Sequence, residues 1–284
     1  QGRIIADTPL GGFGRGILVV GSTFDNRGIV GAASEGLVFV RNLQNAGTVM
    51  ASSKGLVVID GNWTNGGMMT IDDARLSLGG TFTVGALGAV QRTGGTVVLS
   101  GVLDNTGTAL NLNASTGPWR IEDGRINGGT VTAKEGASLV VSGGRAATLD
   151  GVTLDTDLTV ESGGRVVVVN GLTLNGVLTL DEQSGGYTAL EFSDTQTLAG
   201  AGQVVFTGFN PSGTVQPTSG TLTIGPSITI RGGTGTLGNR NLPLVNDGTI
   251  SADVAGRTIF VLANPFTNNG TIQELNGGKV LVNP

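Results

Sequence analysis

The side chains in this sequence that could move protons are few, and all of them are carboxylates. The 284 residues include no His and no Cys. That removes imidazole acid–base work, thiolate nucleophiles, the commonest zinc ligands and any disulfide framework. Three adjacent pairs stand out, Asp72-Asp73, Glu122-Asp123 and Asp181-Glu182, with a looser set of Asp150, Asp155, Asp157 and Glu161. Two carboxylates flanking a glycosidic bond can hydrolyse it as acid and base. A carboxylate cluster beside an Arg or Lys could instead hold calcium for cleavage of an acidic polysaccharide. Adjacency in sequence gives neither arrangement, because consecutive residues of a strand point to opposite faces. Each pair reads as a corner between strands, so we expect solvated turns at the pairs and a structural role for the set from Asp150 to Glu161. The calcium-binding phrase Gly-Gly-x-Gly-x-Asp is absent. Trp63, Trp119 and Tyr187 could stack on sugar rings, but aromatic residues this scarce are expected to fill corners or the core. No catalytic, cofactor-binding or metal-binding residue is assigned.

The elements that position these residues follow from composition. There are 51 Gly but only 8 Pro, without a Gly-X-Y period, which excludes collagen and argues against low-complexity disorder. Apolar residues are 38% of the chain and fall in short Val, Leu and Ile runs that suit strands, and almost no helix is expected. Charged residues are only 13%, with a net charge of −5, and the arginines are scattered singly, so a nucleic-acid surface is not expected. No apolar run approaches the roughly 20 residues of a membrane helix. No signal peptide is visible, and the chain, which begins at Gln1, reads as processed or excerpted.

The strongest signal is a repeat. The phrase Asn-x-Gly followed by a small or β-branched pair starts at Asn26, Asn45, Asn65, Asn105, Asn127, Asn246 and Asn268. Its intervals are 19, 20, 40 and 22 residues from Asn26 to Asn127, and 22 between Asn246 and Asn268. The 40 is a double step whose middle member, Ala86-Leu-Gly88-Ala-Val90, has lost its asparagine. A second strand follows each phrase, as in Gly36-Leu-Val-Phe-Val40 and Gly55-Leu-Val-Val-Ile59. Asn and Gly are expected to supply the left-handed backbone of a tight corner. From 142 to 245 the phrase fades, but triplets such as Leu158-Thr-Val160, Leu172-Thr-Leu174, Leu178-Thr-Leu180 and Leu190-Glu-Phe192 keep a period of two, aliphatic in and polar out.

Residues that return every 19 to 22 positions stack in register in a solenoid, whereas a sandwich gives no reason for the spacing. The expected fold is therefore all-β, a right-handed parallel β-helix with coils of about 20 residues. Residues 1–25 would be an N-terminal segment or partial cap, and 26–284 a continuous solenoid, regular at 26–141 and 246–284 and less regular at 142–245. The seven asparagines would form a structural corner ladder.

The stretch Asn127-Gly-Gly-Thr-Val-Thr-Ala-Lys-Glu-Gly-Ala-Ser-Leu-Val-Val, with Leu149-Asp-Gly-Val-Thr-Leu154, Leu172-Thr-Leu-Asn-Gly176 and Asn246-Asp-Gly-Thr-Ile-Ser-Ala252, resembles the repeats of large secreted bacterial β-helical surface proteins, adhesin-like or autotransporter-passenger-like. The resemblance implies a location outside the cell or on its surface and no catalytic residues. The expected function is a non-enzymatic structural or adhesive solenoid without cofactors. It would self-associate through its ends into a filament or belong to a longer parent chain, with surface glycans as further partners. The alternative is a polysaccharide-binding or polysaccharide-cleaving β-helix.

Overall fold

The structure, a computed structural model, describes residues 2–7, 16–182 and 185–283. The chain is an all-β parallel β-solenoid of about 13 turns, each of about 21 residues. It divides into two compact units, Gln1–Asn127 with Ala133–Ser138, and Gly128–Thr132 with Leu139–Pro284.

In the first unit each turn supplies one strand to each of several parallel sheets. One sheet runs Arg3–Ala6, Ile29–Ala32, Thr48–Ser52, Met68–Asp72 and Ala89–Arg92. A second includes Ile17–Val19, Leu37–Arg41, Leu56–Asp60, Arg75–Leu78, Thr96–Leu99 and Trp119–Ile121. Equivalent side chains form columns: Val38, Val57, Leu76, Val97 and Trp119 lie in register, and all are buried. Parallel ladder pairing already includes Arg3–Ala6 and Ile17–Val19, within the stretch expected to be a partial cap. Residues 1 and 8–15 of that stretch lie outside the described residues.

The second unit repeats the scheme with Leu139–Val141, Leu158–Val160, Val177–Leu180, Gln203–Phe206, Thr229–Gly232, Thr249–Ala252 and Thr271–Glu274 along one sheet. Its inward column is Leu139, Leu158, Leu178, Val204, Ile230 and Ile250, each fully or almost fully buried. Burying one such side chain contributes about 1.5–3 kcal/mol. The adjacent outward column starts Val140, Thr159, Thr179, Val205. The long strands Ala146–Asp155 and Arg165–Leu174 turn their corners at Gly151 (φ +63°) and Asn170 (φ +55°), which replace the Asn-x-Gly corner there.

The corner glycines overturn one expectation. Gly28, Gly47, Gly67, Gly248 and Gly270 lie outside the left-handed region, as do Asn26, Asn45 and Asn65. What demands glycine is closeness to the preceding turn: a Cβ on Gly47 would sit 2.2 Å from the Gly28 carbonyl oxygen, and one on Gly67 2.0 Å from that of Gly47. At these five positions the glycine encodes turn-to-turn spacing, not backbone handedness. Left-handed residues occur at the other corner, as at Glu35 and Lys54, and at Gly107 and Gly129 among the phrase glycines.

Among the described residues the one helix is the four-residue Val84–Leu87, capped by Thr83, whose Oγ1 accepts from the Ala86 amide at 3.2 Å. No helix is long and apolar enough to cross a membrane.

Candidate functional site

The predicted asparagine ladder divides into parts. Asn26 Nδ2 donates to Asn45 Oδ1 at 2.7 Å, and Asn45 Nδ2 donates to Asn65 Oδ1 at 2.6 Å, all three residues being buried. Each Oδ1 of Asn26 and Asn45 also accepts from the amide of the glycine two residues on. One turn further, where the sequence has Ala86, Asn65 Nδ2 donates to the backbone oxygens of Leu87 (2.7 Å) and Ala89 (3.2 Å), so main chain takes the place of the missing side chain. Asn246 and Asn268 form a second pair at 2.6 Å. Asn105 and Asn127 do not occupy one column: Asn127 is in register with Asp104, its Oδ1 accepts from Arg125 Nε at 2.6 Å, and Asn105 Oδ1 accepts from Thr108. The register step from Asp104 to Asn127 is 23 residues, one more than the 22 that separate the two asparagines, so Asn127 falls one position out of the Asn105 column.

The carboxylates are distributed, not gathered. Asp72 accepts from Thr93 one turn on, and Asp73, at φ +45°, is an exposed corner residue. Glu122 meets the Arg75 guanidinium at 2.5 Å, beside exposed Asp123 at φ +62°. Asp150 and Asp155 accept from Asn170 (2.6 Å) and Asn175 (2.5 Å), Asp157 from the Val177 amide and Glu161 from the Gly143 amide. No group of three or more acidic side chains able to hold a metal occurs among the described residues.

The third pair departs from the solvated-turn expectation. Asp181 is tied to Thr207 at 3.3 Å, but Glu182 is only 3% exposed. Its carboxyl is enclosed by the following turn, where Gly208 and Gly213 leave it room: a Cβ on Gly213 would sit 1.6 Å from Glu182 Oε1. Ser212 Oγ approaches Oε2 at 3.5 Å, while Oε1 has no hydrogen-bond partner among the described residues. Burial, partly opposed by the Gly213 amide and the Ser212 hydroxyl, raises the Glu182 pKa from 4.5 to about 7.

Glu182 lies where two successive turns are widened. Residues 181–187, of which 183 and 184 lie outside the described residues, and 207–212 connect the paired strands there, against 142–145, 161–164, 233–234, 253–257 and 275–278 at the same corner of other turns. Both wide connections carry an exposed aromatic ring. Tyr187 is 49% exposed, and Phe209 is 65% exposed with the Arg257 guanidinium 3.8 Å from its ring centroid. Tyr187 Oη donates to Glu191 Oε1 at 3.2 Å and accepts from Gln216 Nε2 at 2.9 Å; Gln216 also reaches Glu191 Oε1 at 3.3 Å, and Arg165 Nε lies 3.6 Å from Glu191 Oε2. Ala189 and Glu191 have outward parity on Thr188–Phe192 and are nevertheless buried. Burial and the Glu191 charge raise the Tyr187 pKa to about 12, so the phenol stays a donor.

Of the residues singled out in the sequence, this corner brings together Asp181, Glu182 and Tyr187. Arg165, Gln216 and Phe209 were not singled out, and Glu191 only as the outward residue of its triplet. The signal available was the long gap between Leu178-Thr-Leu180 and Leu190-Glu-Phe192, since insertions in a repeat protein map to loops on a binding face. The tryptophans behave as expected of core residues. Trp119 is buried in its column, and Trp63 stacks on Phe82 (centroids 4.6 Å apart) while donating to the Gly79 oxygen at 2.9 Å. Trp63→Phe keeps the stacking and strands that carbonyl, and is expected to lower stability by about 1–2 kcal/mol in urea unfolding.

No protein family, no curated protein and no solved structure matches the chain.

Proposed function

We propose that this chain is a non-enzymatic structural or adhesive solenoid working outside the cell or on its surface. The observation that carries the reading is where its polar side chains are spent. Asn26–Asn45, Asn45–Asn65, Asp72–Thr93, Asp150–Asn170, Asp155–Asn175, Asp194–Ser219, Asp247–Asn269 and Ser251–Gln273 each join one turn to the next. Hydrogen bonds along the axis of a repeat stack strengthen the interfaces between neighbouring units, from which such proteins draw their stability. Such a surface serves a scaffold better than a reaction centre. The surface poor in ions, the lack of thiols and the resemblance to secreted bacterial β-helical surface proteins support an extracellular setting.

Self-association through the solenoid ends, or continuation by further turns of a longer parent chain, fits the same chemistry. Phe266–Asn268, Thr271–Glu274 and Lys279–Val282 each pair on one side among the described residues, and Leu281 and Val282 are exposed beside them. Another turn would satisfy such an edge.

The rival is a polysaccharide-cleaving β-helix. Incubating the protein with neutral and acidic polysaccharides and following new reducing ends and unsaturated uronates is expected to give no turnover. Turnover that disappears in Glu191→Gln or Glu182→Gln would overturn the reading. Sedimentation velocity and electron microscopy of native material should show polymers or long parent rods, and a stable dilute monomer of this chain would remove the self-association part.

A further inference from the structure

We infer that the widened corner around Tyr187 is a binding site for a neutral pyranose ring of a glycan, an inference that rests on the adhesive reading and gives it a place. Tyr187 is the only tyrosine in the chain. Its hydroxyl is held by Glu191 and Gln216, so the half-exposed aromatic ring is anchored at its far end. The apolar C–H face of a sugar stacks on such a ring, and a ring already immobilised loses little entropy on binding.

The polar groups beside the ring suit hydroxyls better than charges. Arg165 and Glu191 neutralise each other. Gln216 Nε2 is engaged by Tyr187 and Glu191, which leaves its carboxamide oxygen as an acceptor for a sugar hydroxyl. Phe209 belongs to the next wide connection, just before Gly213, which is in register with Thr188. Its exposed ring, backed by Arg257, offers a second apolar contact on the neighbouring turn. The two long connections bring both rings to one corner of adjacent turns, an arrangement that stacking of the solenoid does not require.

Affinity electrophoresis of the full chain through gels containing arabinoxylan, xyloglucan, laminarin or polygalacturonate tests this, followed by titration with an oligosaccharide of whichever neutral polymer retards it. Retardation by at least one neutral polymer is expected. Tyr187→Ala, a half-exposed position whose folding circular dichroism would confirm, should weaken binding about tenfold or more, Tyr187→Phe by no more than about threefold, and Phe209→Ala by an intermediate factor. If no neutral polymer retards the wild type, or if only polygalacturonate does, the assignment of a neutral ring fails. If the wild type binds and Tyr187→Ala binds equally, the site is wrong while an adhesive function stands. The structural reading is judged separately, by the turnover and assembly experiments.

Discussion

Asn45→Ala is expected to destabilise the protein by about 3 kcal/mol, far more than its small volume change suggests. Asn45 makes four close polar contacts: it accepts from Asn26 Nδ2 (2.7 Å) and the Gly47 amide (3.2 Å), and donates to Asn65 Oδ1 (2.6 Å) and the Gly47 oxygen (3.2 Å). Some groups keep other partners after the truncation. Asn26 Nδ2 still reaches the Thr48 oxygen, and the Gly47 amide still bonds the Asn26 oxygen. Asn65 Oδ1 is left buried and unsatisfied, a loss of about 1–3 kcal/mol, to which the broken bonds add about 1 kcal/mol each. Asn268→Ala, at an exposed rung, should cost under about 1 kcal/mol. Asn45→Asp sharpens the test. At neutral pH its carboxylate would face the Asn65 Oδ1 acceptor, so the variant should be less stable than Asn45→Ala and recover as acid protonates it. Urea midpoints for the three variants, read at pH values either side of the carboxylate range, decide the matter. Equal losses at Asn45 and Asn268 would mean that the ladder contributes nothing beyond packing.

The ladder was readable because an identical residue returning at one interval has a stacking partner above and below. The aliphatic columns were readable for the same reason: Leu158-Thr-Val160 and Leu178-Thr-Leu180 are in register, residue for residue. Other features depended on what the neighbouring turn places nearby. The corner glycines suggested positive φ from their type alone, yet Gly47 is required by a carbonyl 19 residues earlier. The break at Asn105 and Asn127 follows from a turn one residue longer than the interval between the two asparagines, which only the neighbouring strand reveals. The first part of the 142–245 region looked irregular because its corners lie within continuous strands, at left-handed Gly151 and at Asn170-Gly171. At the candidate site, Asp181-Glu182 read as an ordinary polar turn, because the groups that bury Glu182, Gly208 to Gly213, come from the next turn. Glu191 read correctly as an outward residue of its triplet, but nothing local showed that Tyr187 would bond it and Gln216, one turn on, would complete its bonds.

Glu182→Gln is expected to raise stability at mildly alkaline pH by up to about 3 kcal/mol and by under about 1 kcal/mol near pH 5. The wild-type carboxyl titrates at about 7 when folded, against an ordinary value of 4.5. Between those values the folded protein holds a proton that the unfolded chain has released, so stability falls as pH rises through the window, and above about 7 the full penalty of a buried charge is present. Below about 4.5 both states are protonated and the penalty is absent. A difference of about 2.5 units corresponds to about 3 kcal/mol. Glutamine fills the same space between Gly208 and Gly213 without a charge to desolvate, so its stability should be flat where the wild type declines. The chain has no histidine, which leaves this window free of the side chain that ordinarily titrates there. Urea unfolding of both proteins at intervals from about pH 5 to pH 8 gives the two profiles. A wild-type profile as flat as that of Glu182→Gln would show that the carboxyl is solvated in the folded protein. A sloping wild-type profile would show that the carboxyl stays buried beside Gly208 and Gly213 in the folded protein.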